Sequence, residues 1–269
     1  MAEKSNLHLY TAQTPNGIKV SIVLEELGLK YETTNIEFSK NTQKVGQDPV
    51  EPWFLEINPN GRIPALTDTF EDGKTIRLFE SGSIMQYLVD RYDKDHKISY
   101  PYGSREYWEL FWQMGGLGPM QGQLNHFNSR PLCARPVEIL LTWSGYAPEK
   151  IPYGINRYMN ETRRLFRTMD TALESSKSGY LVGDKCTLAD LASWGWVAAA
   201  AGSGVDISEF PALKKWRDLL LTRPGLEKGR HVPSPHKSLD QEKMSEEEIA
   251  AAAKKNASWI QTGMKDDAK

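Results

Sequence analysis

The chain has 269 residues, in which 33 lysine and arginine residues nearly balance 35 aspartate and glutamate residues, for a formal net charge of −2. A near-neutral chain lacks both the basic patch expected of a nucleic-acid-binding protein and the charge that attracts a membrane surface. No stretch approaches the roughly 20 apolar residues of a membrane-spanning helix, and no apolar signal segment opens the chain. These features predict a cytoplasmic protein of one or two domains, with neither nucleic acid nor membrane as a partner.

The two cysteines of the chain, Cys133 and Cys186, are too far apart to form a Cys-x-x-Cys pair. Neither a zinc site nor a dithiol redox pair can be built from them within one chain, so no metal is expected. Cys186 precedes an apolar run, which favours a small buried core residue. Any thiol chemistry would therefore need a thiol from another molecule.

The first part of the chain alternates between strand and helix patterns. Residues 7–10 read as a strand, residues 19–27 as a helix with apolar side chains at i, i+3, i+4 and i+7, and residues 31–38 as a second strand. Such a strand–helix–strand unit implies parallel pairing through a right-handed crossover.

A hairpin and a helix complete this first domain. Strands at residues 63–66 and 75–79 flank the turn Glu71-Asp72-Gly73-Lys74, which predicts a β-hairpin. Ser81 is the predicted N-cap of the following helix. The order βαβ then ββα is that of thioredoxin.

The rest of the chain has helical periodicity. Candidate helices cover about residues 105–127, 155–175, 188–201 and 213–223. Thr187 and Asp190 form a variant of the capping box, for which we expect a structural role. The predicted organisation is an α/β thioredoxin-like domain at residues 1–94, an all-α domain at 105–228, and a tail at 229–269 with a docked helix opening near Ser245.

A glycine-rich run interrupts the first of these helices. Gly115, Gly116 and Gly118 follow Trp112, and each glycine costs a helix about 1 kcal/mol relative to alanine. The run therefore indicates a close backbone approach or a kink. It could form the floor of a second-substrate pocket, or a packing contact between helices or subunits.

Several segments carry a family resemblance over about residues 7–223. They are Thr14-Pro15-Asn16-Gly17, residues 58–66, 79–84 and 110–120, and Ile151-Pro152-Tyr153 with Arg157-Tyr158. Together they resemble the nu-class and fungal prion-related branch of the glutathione transferase superfamily. The resemblance implies the glutathione transferase fold, glutathione as cosubstrate and a homodimer.

Two of these segments offer groups that could bind glutathione. The family has a cis-proline at the position of Pro64, which would let the backbone of Ile63 pair with the cysteinyl part of the ligand. The start of a helix favours a carboxylate, so Ser81 would bind the γ-glutamyl carboxylate and Glu80 the ammonium. The alternatives are a simple turn proline, a simple N-cap and a solvated acid.

Three further residues are assigned by resemblance alone. Arg62 and Gln43 resemble the family's contacts to the glycyl end of glutathione. Arg157 matches an arginine that contacts a second glutathione molecule, although it could equally lie on a solvated helix face.

The chemistry is expected at the turn after the first strand. The thiol of glutathione resembles free cysteine, whose pKa is about 8.5, so a donor must stabilise its thiolate at neutral pH. By spacing, Thr14 occupies the position of the catalytic serine or cysteine of other classes, and Asn16 adds an amide donor. The alternatives are a turn hydroxyl for Thr14 and an N-cap for Asn16.

Two functions of different classes follow. The first is a glutathione-dependent transferase or disulfide reductase, which binds glutathione or glutathione disulfide. It would reduce small or mixed disulfides with glutathione, or conjugate glutathione to a small hydrophobic electrophile. Because no cysteine lies in the turn, its redox cycle would run between two glutathione molecules. The second is a non-catalytic glutathione-binding regulator or assembly domain.

Overall fold

The computed structural model describes residues 6–36, 52–110, 114–127, 151–245 and 248. Within these ranges the first domain contains one four-stranded mixed sheet in the order β2-β1-β3-β4. β1 and β2 are parallel, whereas β3 is antiparallel to both of its neighbours. The predicted parallel unit and hairpin are confirmed; the strands are β1 (His8–Thr11), β2 (Glu32–Asn35), β3 (Ala65–Thr69) and β4 (Thr75–Phe79).

In the described part of this domain, three helices accompany the sheet: α1 (Gly17–Glu26), α2 (Pro52–Ile57) and α3 (Ser81–Tyr92). The prediction that Ser81 is the N-cap of α3 was wrong. Glu80 holds the N-cap position, with φ 70° and ψ 117°, and makes no capping hydrogen bond through its side chain. A positive φ is uncommon for a residue with a Cβ atom, so α3 begins from a strained backbone at Glu80.

The strand register brings three loops to one end of the sheet. Tyr10 of β1 and Phe79 of β4 both pair with Ala65, the first residue of β3. Because β3 is antiparallel to both strands, the loops after β1 and β4 meet the loop before β3. We call residues 12–17, Ile63–Pro64 and Glu80–Ser81 the loop cluster.

The remaining chain is helical, and the predicted all-α domain is confirmed for the described residues. The predicted helix at residues 105–127 is described as two helices, with residues 111–113 outside the described ranges. The helices are α4 (Arg105–Glu109), α5 (Met114–Phe127), α6 (Pro152–Ser175), α7 (Leu188–Ala198), α8 (Pro211–Leu220) and α9 (Pro224–Gly229). None of the described helices is long and apolar enough to cross a membrane.

α5, α6 and α7 form much of the core of the helical domain. The predicted close approach in the glycine-rich run is confirmed at Gly118, where a Cβ atom would lie 3.0 Å from the Trp196 Nε1. At Gly115 a Cβ would meet nothing within 4 Å. The contact is therefore one of helix packing within the chain, while Trp112 lies outside the described residues.

Asp190 and Cys186 have the structural roles predicted for them. The Asp190 carboxylate accepts hydrogen bonds from the Thr187 N–H at 2.9 Å and from the Trp216 indole at 2.8 Å. Burial raises the pKa of this carboxyl above its usual value. Burial also raises the pKa of the Cys186 thiol well above that of an ordinary cysteine, so Cys186 is a core residue and not a nucleophile.

α9 packs directly against α1 and joins the two domains. Glu26, at the end of α1, forms a buried ion pair with Arg223 at 2.7 Å and accepts the Leu226 N–H at 3.1 Å. The Ser21 hydroxyl donates to the Gly229 carbonyl at 2.8 Å. Most of the tail helix predicted to open near Ser245, and Cys133, lie outside the described residues.

Candidate functional site

The β1–α1 turn is closed by Thr14. Its Oγ1 accepts the Gly17 N–H at 3.0 Å, and its carbonyl accepts the Ile18 N–H at 3.0 Å. A Cβ atom on Gly17 would overlap the Ala12 carbonyl oxygen and lie 3.2 Å from the Thr14 Oγ1. The turn therefore needs glycine here, and the Thr14 oxygen accepts a bond while its O–H remains able to donate.

Asn16 does not cap α1 with its side chain, although it holds the N-cap position. Its Oδ1 accepts a hydrogen bond from the Lys19 Nζ at 2.8 Å. An ammonium group has donors and no acceptor, so the amide oxygen must face Lys19 and the Nδ2 must face away from it. The alternative of a simple capping asparagine is not observed.

Lys19 is a buried cation beside this turn. Lys19 is only 3% exposed to solvent. Burial lowers the pKa of Lys19 to about 8, and the negative charge of Glu80 acts in the opposite direction. Lys19 therefore links the β1–α1 turn electrostatically with the start of α3.

The second part of the loop cluster contains the predicted cis-proline. The Ile63–Pro64 peptide bond is cis, and Ile63 is half-buried. Asn58, which is 2% exposed, donates from Nδ2 to the Arg62 carbonyl at 2.7 Å and accepts the Asn60 N–H at 2.9 Å. The Asn58 side chain thus holds the backbone just before Ile63, while the Arg62 side chain is exposed.

The third part is the start of α3. Glu80 is exposed and Ser81 is half-buried. Because Ser81 is the first helical residue, it lies among the backbone N–H groups that have no intrahelical partner. This is an environment that favours a carboxylate from a ligand.

The structure does not place Arg157 in the loop cluster. Arg157 is on an exposed face of α6 with its Nη1 3.9 Å from the Glu161 Oε2. Among the described residues, no hydrogen bond or ion pair joins Arg157 to the loop cluster. Gln43 lies outside the described residues.

Residues from the C-terminal half of the chain pack against the β1–α1 turn. The Gln13 Nε2 donates to the Arg230 carbonyl at 2.8 Å. A Cβ on Gly195 of α7 would lie 3.1 Å from the Pro15 carbonyl oxygen and 3.0 Å from the Ile18 Cδ1. The turn is therefore packed between α7 and the segment that follows α9.

The loop cluster therefore offers hydroxyl and amide donors at the β1–α1 turn, the backbone of Ile63 before a cis-proline, and a carboxylate beside a helix N-terminus. The hydroxyl and amide donors could stabilise a thiolate, and the Ile63 backbone could pair with a peptide. The carboxylate could pair with an ammonium, and the helix N-terminus could bind a carboxylate. Among the described residues, no group of three or more histidine, cysteine, aspartate or glutamate side chains could hold a metal ion.

Comparison with known families agrees with this geometry. Residues 5–90 match the glutathione S-transferase N-terminal domain, and residues 155–224 match the C-terminal domain of the same enzymes. The chain belongs to the glutathione S-transferase family. Both the fold and the branch predicted from the sequence are consistent with this result.

Individual relatives place the chain in the Ure2-like branch of this family. It is 37% identical to the disulfide-bond oxidoreductase YfcG of Escherichia coli, with 81% of this chain and 91% of the relative covered. A solved glutathione transferase homolog from Lodderomyces elongisporus, with two glutathione molecules per subunit, is 42% identical, with a TM-score of 0.71 over 85% of this chain and 99% of that one. The transferase URE2P6 of Phanerochaete chrysosporium, solved with oxidised glutathione, is 38% identical, with a TM-score of 0.69 over 85% and 96% of the two chains.

Sequence reasoning missed three residues that contact the segments of the candidate site, namely Lys19, Asn58 and Gln13. Lys19 follows Asn16 by three positions, which on a helix brings two side chains to one face; that spacing was the available signal. Asn58 opens an Asn-Pro-Asn-Gly turn, where asparagine side chains commonly bond the local backbone. Gln13 carried no signal, because its partner is distant in the sequence.

Proposed function

We propose that the chain is a glutathione-dependent thiol-disulfide oxidoreductase that reduces small or mixed disulfides. The observation that carries this proposal is the strand register, which brings the β1–α1 turn, Ile63–Pro64 and Glu80–Ser81 to one end of the sheet. Neighbouring strands are about 4.8 Å apart, so the three loops span roughly the length of a tripeptide. The named activity of the YfcG relative supports the reaction class.

Each part of the loop cluster has a role in holding the tripeptide. The Ile63 backbone pairs with the cysteinyl residue, Ser81 and the start of α3 bind the γ-glutamyl carboxylate, and Glu80 pairs with the ammonium. Arg62, which is exposed near the cluster, and Gln43 bind the glycyl end. These assignments rest on residue chemistry together with the family resemblance.

Thr14 and Asn16 act on the sulfur. Their O–H and N–H groups stabilise the thiolate, which attacks one sulfur of a disulfide substrate and displaces the other as a thiolate. A second glutathione thiolate then attacks the resulting mixed disulfide and releases glutathione disulfide. Two glutathione molecules are thus oxidised for each disulfide reduced, and the two protons lost from their thiols are taken up by the released thiolates.

A second glutathione in the site removes the need for a protein cysteine. The first 132 residues contain no cysteine, so the loop cluster cannot form a protein–glutathione disulfide of its own. The relative solved with two glutathione molecules per subunit supports a pairwise cycle. Arg157 is our candidate contact for the second molecule, and the homodimer and the cytoplasmic location remain predictions.

The test is an assay of the turnover of a small soluble disulfide with reduced glutathione. The amount of glutathione disulfide formed measures the rate. We expect steady turnover with the disulfide and slower conjugation of glutathione to an aryl halide. The reverse order of rates would indicate a conjugating transferase. Retention on immobilised glutathione with no turnover in either assay would contradict the proposal and support the non-catalytic binding module.

A further inference from the structure

Lys19 is in an environment that is unfavourable for its charge. It lies in the second half of the first turn of α1, it is 3% exposed, and the neighbouring positions Ile18 and Val20 belong to the apolar core. Removing a charged group from water costs several kcal/mol unless partners compensate. Burial lowers the pKa of Lys19 to about 8, so the charged form is less favoured here than in an exposed lysine.

Two interactions of Lys19 connect it with the loop cluster. Its Nζ donates to the Asn16 Oδ1 at 2.8 Å, and the negative charge of Glu80 in the loop cluster acts to raise the pKa of Lys19 against the larger effect of burial. Both residues belong to the group that we propose binds glutathione. A lysine with a purely structural role would be expected to reach the surface along its flexible stem.

The bond to Asn16 has a directional consequence. A side-chain amide can rotate by half a turn and present either its oxygen or its nitrogen to a ligand. An oxygen facing the glutathione sulfur would repel a thiolate, whereas an N–H₂ group would stabilise it. The ammonium of Lys19 has no acceptor, so it permits only the orientation in which the Asn16 oxygen faces Lys19.

We propose that Lys19 is a positioning residue, which fixes the Asn16 amide so that its oxygen faces the Lys19 ammonium and its N–H₂ group faces the glutathione sulfur. The bond also polarises the amide, which makes the N–H₂ group a better donor. This inference rests on the proposed function and assigns the orientation of one of its two sulfur donors.

The test compares Lys19→Met, Asn16→Ala and the double variant, with Lys185→Met as a matched control. Methionine keeps an unbranched stem of similar volume without the charge. The Lys185 Nζ donates to the His96 carbonyl and lies over the Tyr100 ring at 4.4 Å, so this variant removes a hydrogen-bonded, half-buried cation that lies away from the loop cluster. The readouts are kcat, the KM for glutathione and the pKa of the bound glutathione thiol. This pKa is measured from the ultraviolet absorbance of the thiolate as a function of pH.

We expect Lys19→Met to lower kcat roughly 10-fold, as for loss of one charge-assisted hydrogen bond, with the KM for glutathione changed less than about 2-fold. The pKa of the bound thiol should rise. In the Asn16→Ala background the same substitution should cost less than about 2-fold, because the amide it positions is absent. Lys185→Met should keep wild-type values.

Unchanged kcat and thiol pKa in Lys19→Met would overturn the inference, and so would full multiplication of the two losses in the double variant. Absence of glutathione turnover and binding in the wild-type chain would instead contradict the proposed function. If Lys19→Met does not fold, the side-chain amide resonances of Asn16 can be followed in the glutathione-bound wild type as pH crosses the titration of Lys19. Movement of those resonances supports the inference, and their constancy rejects it.

Discussion

The side-chain nitrogen of Gln13 donates a 2.8 Å hydrogen bond to the main-chain carbonyl oxygen of Arg230, across 217 positions of sequence. Gln13 immediately precedes Thr14, so the segment after α9 is tied to the turn that we propose holds the glutathione sulfur. The geometry of the β1–α1 turn is therefore determined by both domains.

Gln13→Ala should loosen this turn. We expect a loss of about 1 kcal/mol in the free energy of unfolding, typical of one hydrogen bond, and a severalfold decrease in kcat with disulfide substrates. Chemical denaturation and steady-state kinetics measure the two effects. Gln86→Ala, which removes a glutamine bonded to Asp90 and Tyr107, is the control and should leave kcat unchanged.

Thr14 and Asn16 should act differently from Ser81. Thr14→Ala and Asn16→Ala remove donors to the sulfur, so each should lower kcat roughly 10-fold with little change in glutathione affinity. Ser81→Ala removes a contact to a carboxylate that does not react, so it should raise the KM or Kd for glutathione with kcat nearly constant. Calorimetry and kinetics separate these patterns, and unchanged rates in both turn variants would remove their catalytic assignment.

Gly17→Ala should damage the site although it adds only a methyl group. The new Cβ would overlap the Ala12 carbonyl oxygen and the Thr11 hydroxyl, so the turn must open. We expect the free energy of unfolding to fall by roughly 1–3 kcal/mol, the typical cost of inserting an extra group into a packed site. Most of the turnover should also be lost. Gly115→Ala is the matched control, because that Cβ meets nothing within 4 Å; it should be neutral or slightly stabilising.

Stability above neutral pH should report the burial of Lys19. Its pKa falls from 10.5 to about 8 in the folded chain, so between these values the unfolded chain binds more protons and stability rises with pH. At about 1.4 kcal/mol per pH unit the full change is roughly 3 kcal/mol. Lys19→Met should therefore be more stable than wild type at pH 7, and its advantage should shrink as pH approaches 10; denaturation curves at several pH values would show whether it does.

His236 should make the protein sensitive to mild acid. It is 7% exposed, its ring centroid lies 5.5 Å from that of Trp194, and burial, followed by the positive charge of Arg230, lowers its pKa from 6.5 to about 4. The unfolded chain binds the proton more readily, so this contribution is fully present above pH 6.5 and is lost as pH falls toward 4. The loss amounts to roughly 3 kcal/mol at about 1.4 kcal/mol per pH unit.

His236→Gln should flatten the decline in stability between pH 6.5 and 4. Wild type and variant should show parallel stability curves between pH 7 and 9, which provides an internal control. Equal slopes in the acid range would show that another group governs acid unfolding.

Local patterns were sufficient for the hairpin and for the existence of each strand, although β3 begins at Ala65, two residues later than predicted. The bounds of β4 agree with its alternating sequence and the Gly73 turn, because both ends are set by neighbours in the chain. They were insufficient at Ser81, since the shift of the N-cap to Glu80 depends on a positive φ that no residue preference of glutamate indicates.

The candidate site was predictable in its residues but not in its support. Thr14, Asn16 and the Ile63–Pro64 pair lie in motifs that are read directly. The contact between Gln13 and Arg230 joins residues 217 positions apart, and the burial of Lys19 depends on tertiary packing, neither of which periodicity encodes. Such contacts become visible only when distant segments are brought together.

The ion pair between Glu26 and Arg223 has a consequence for the order in which the protein can mature during translation. The helix that carries Lys19 ends at Glu26, and its buried carboxylate acquires its guanidinium partner only after nearly two hundred further residues are synthesised. A nascent chain that has released only its thioredoxin-like half would leave that acid without its cation and the β1–α1 turn without its support from Arg230. Competence to bind glutathione should therefore appear late, after α9 has left the ribosome.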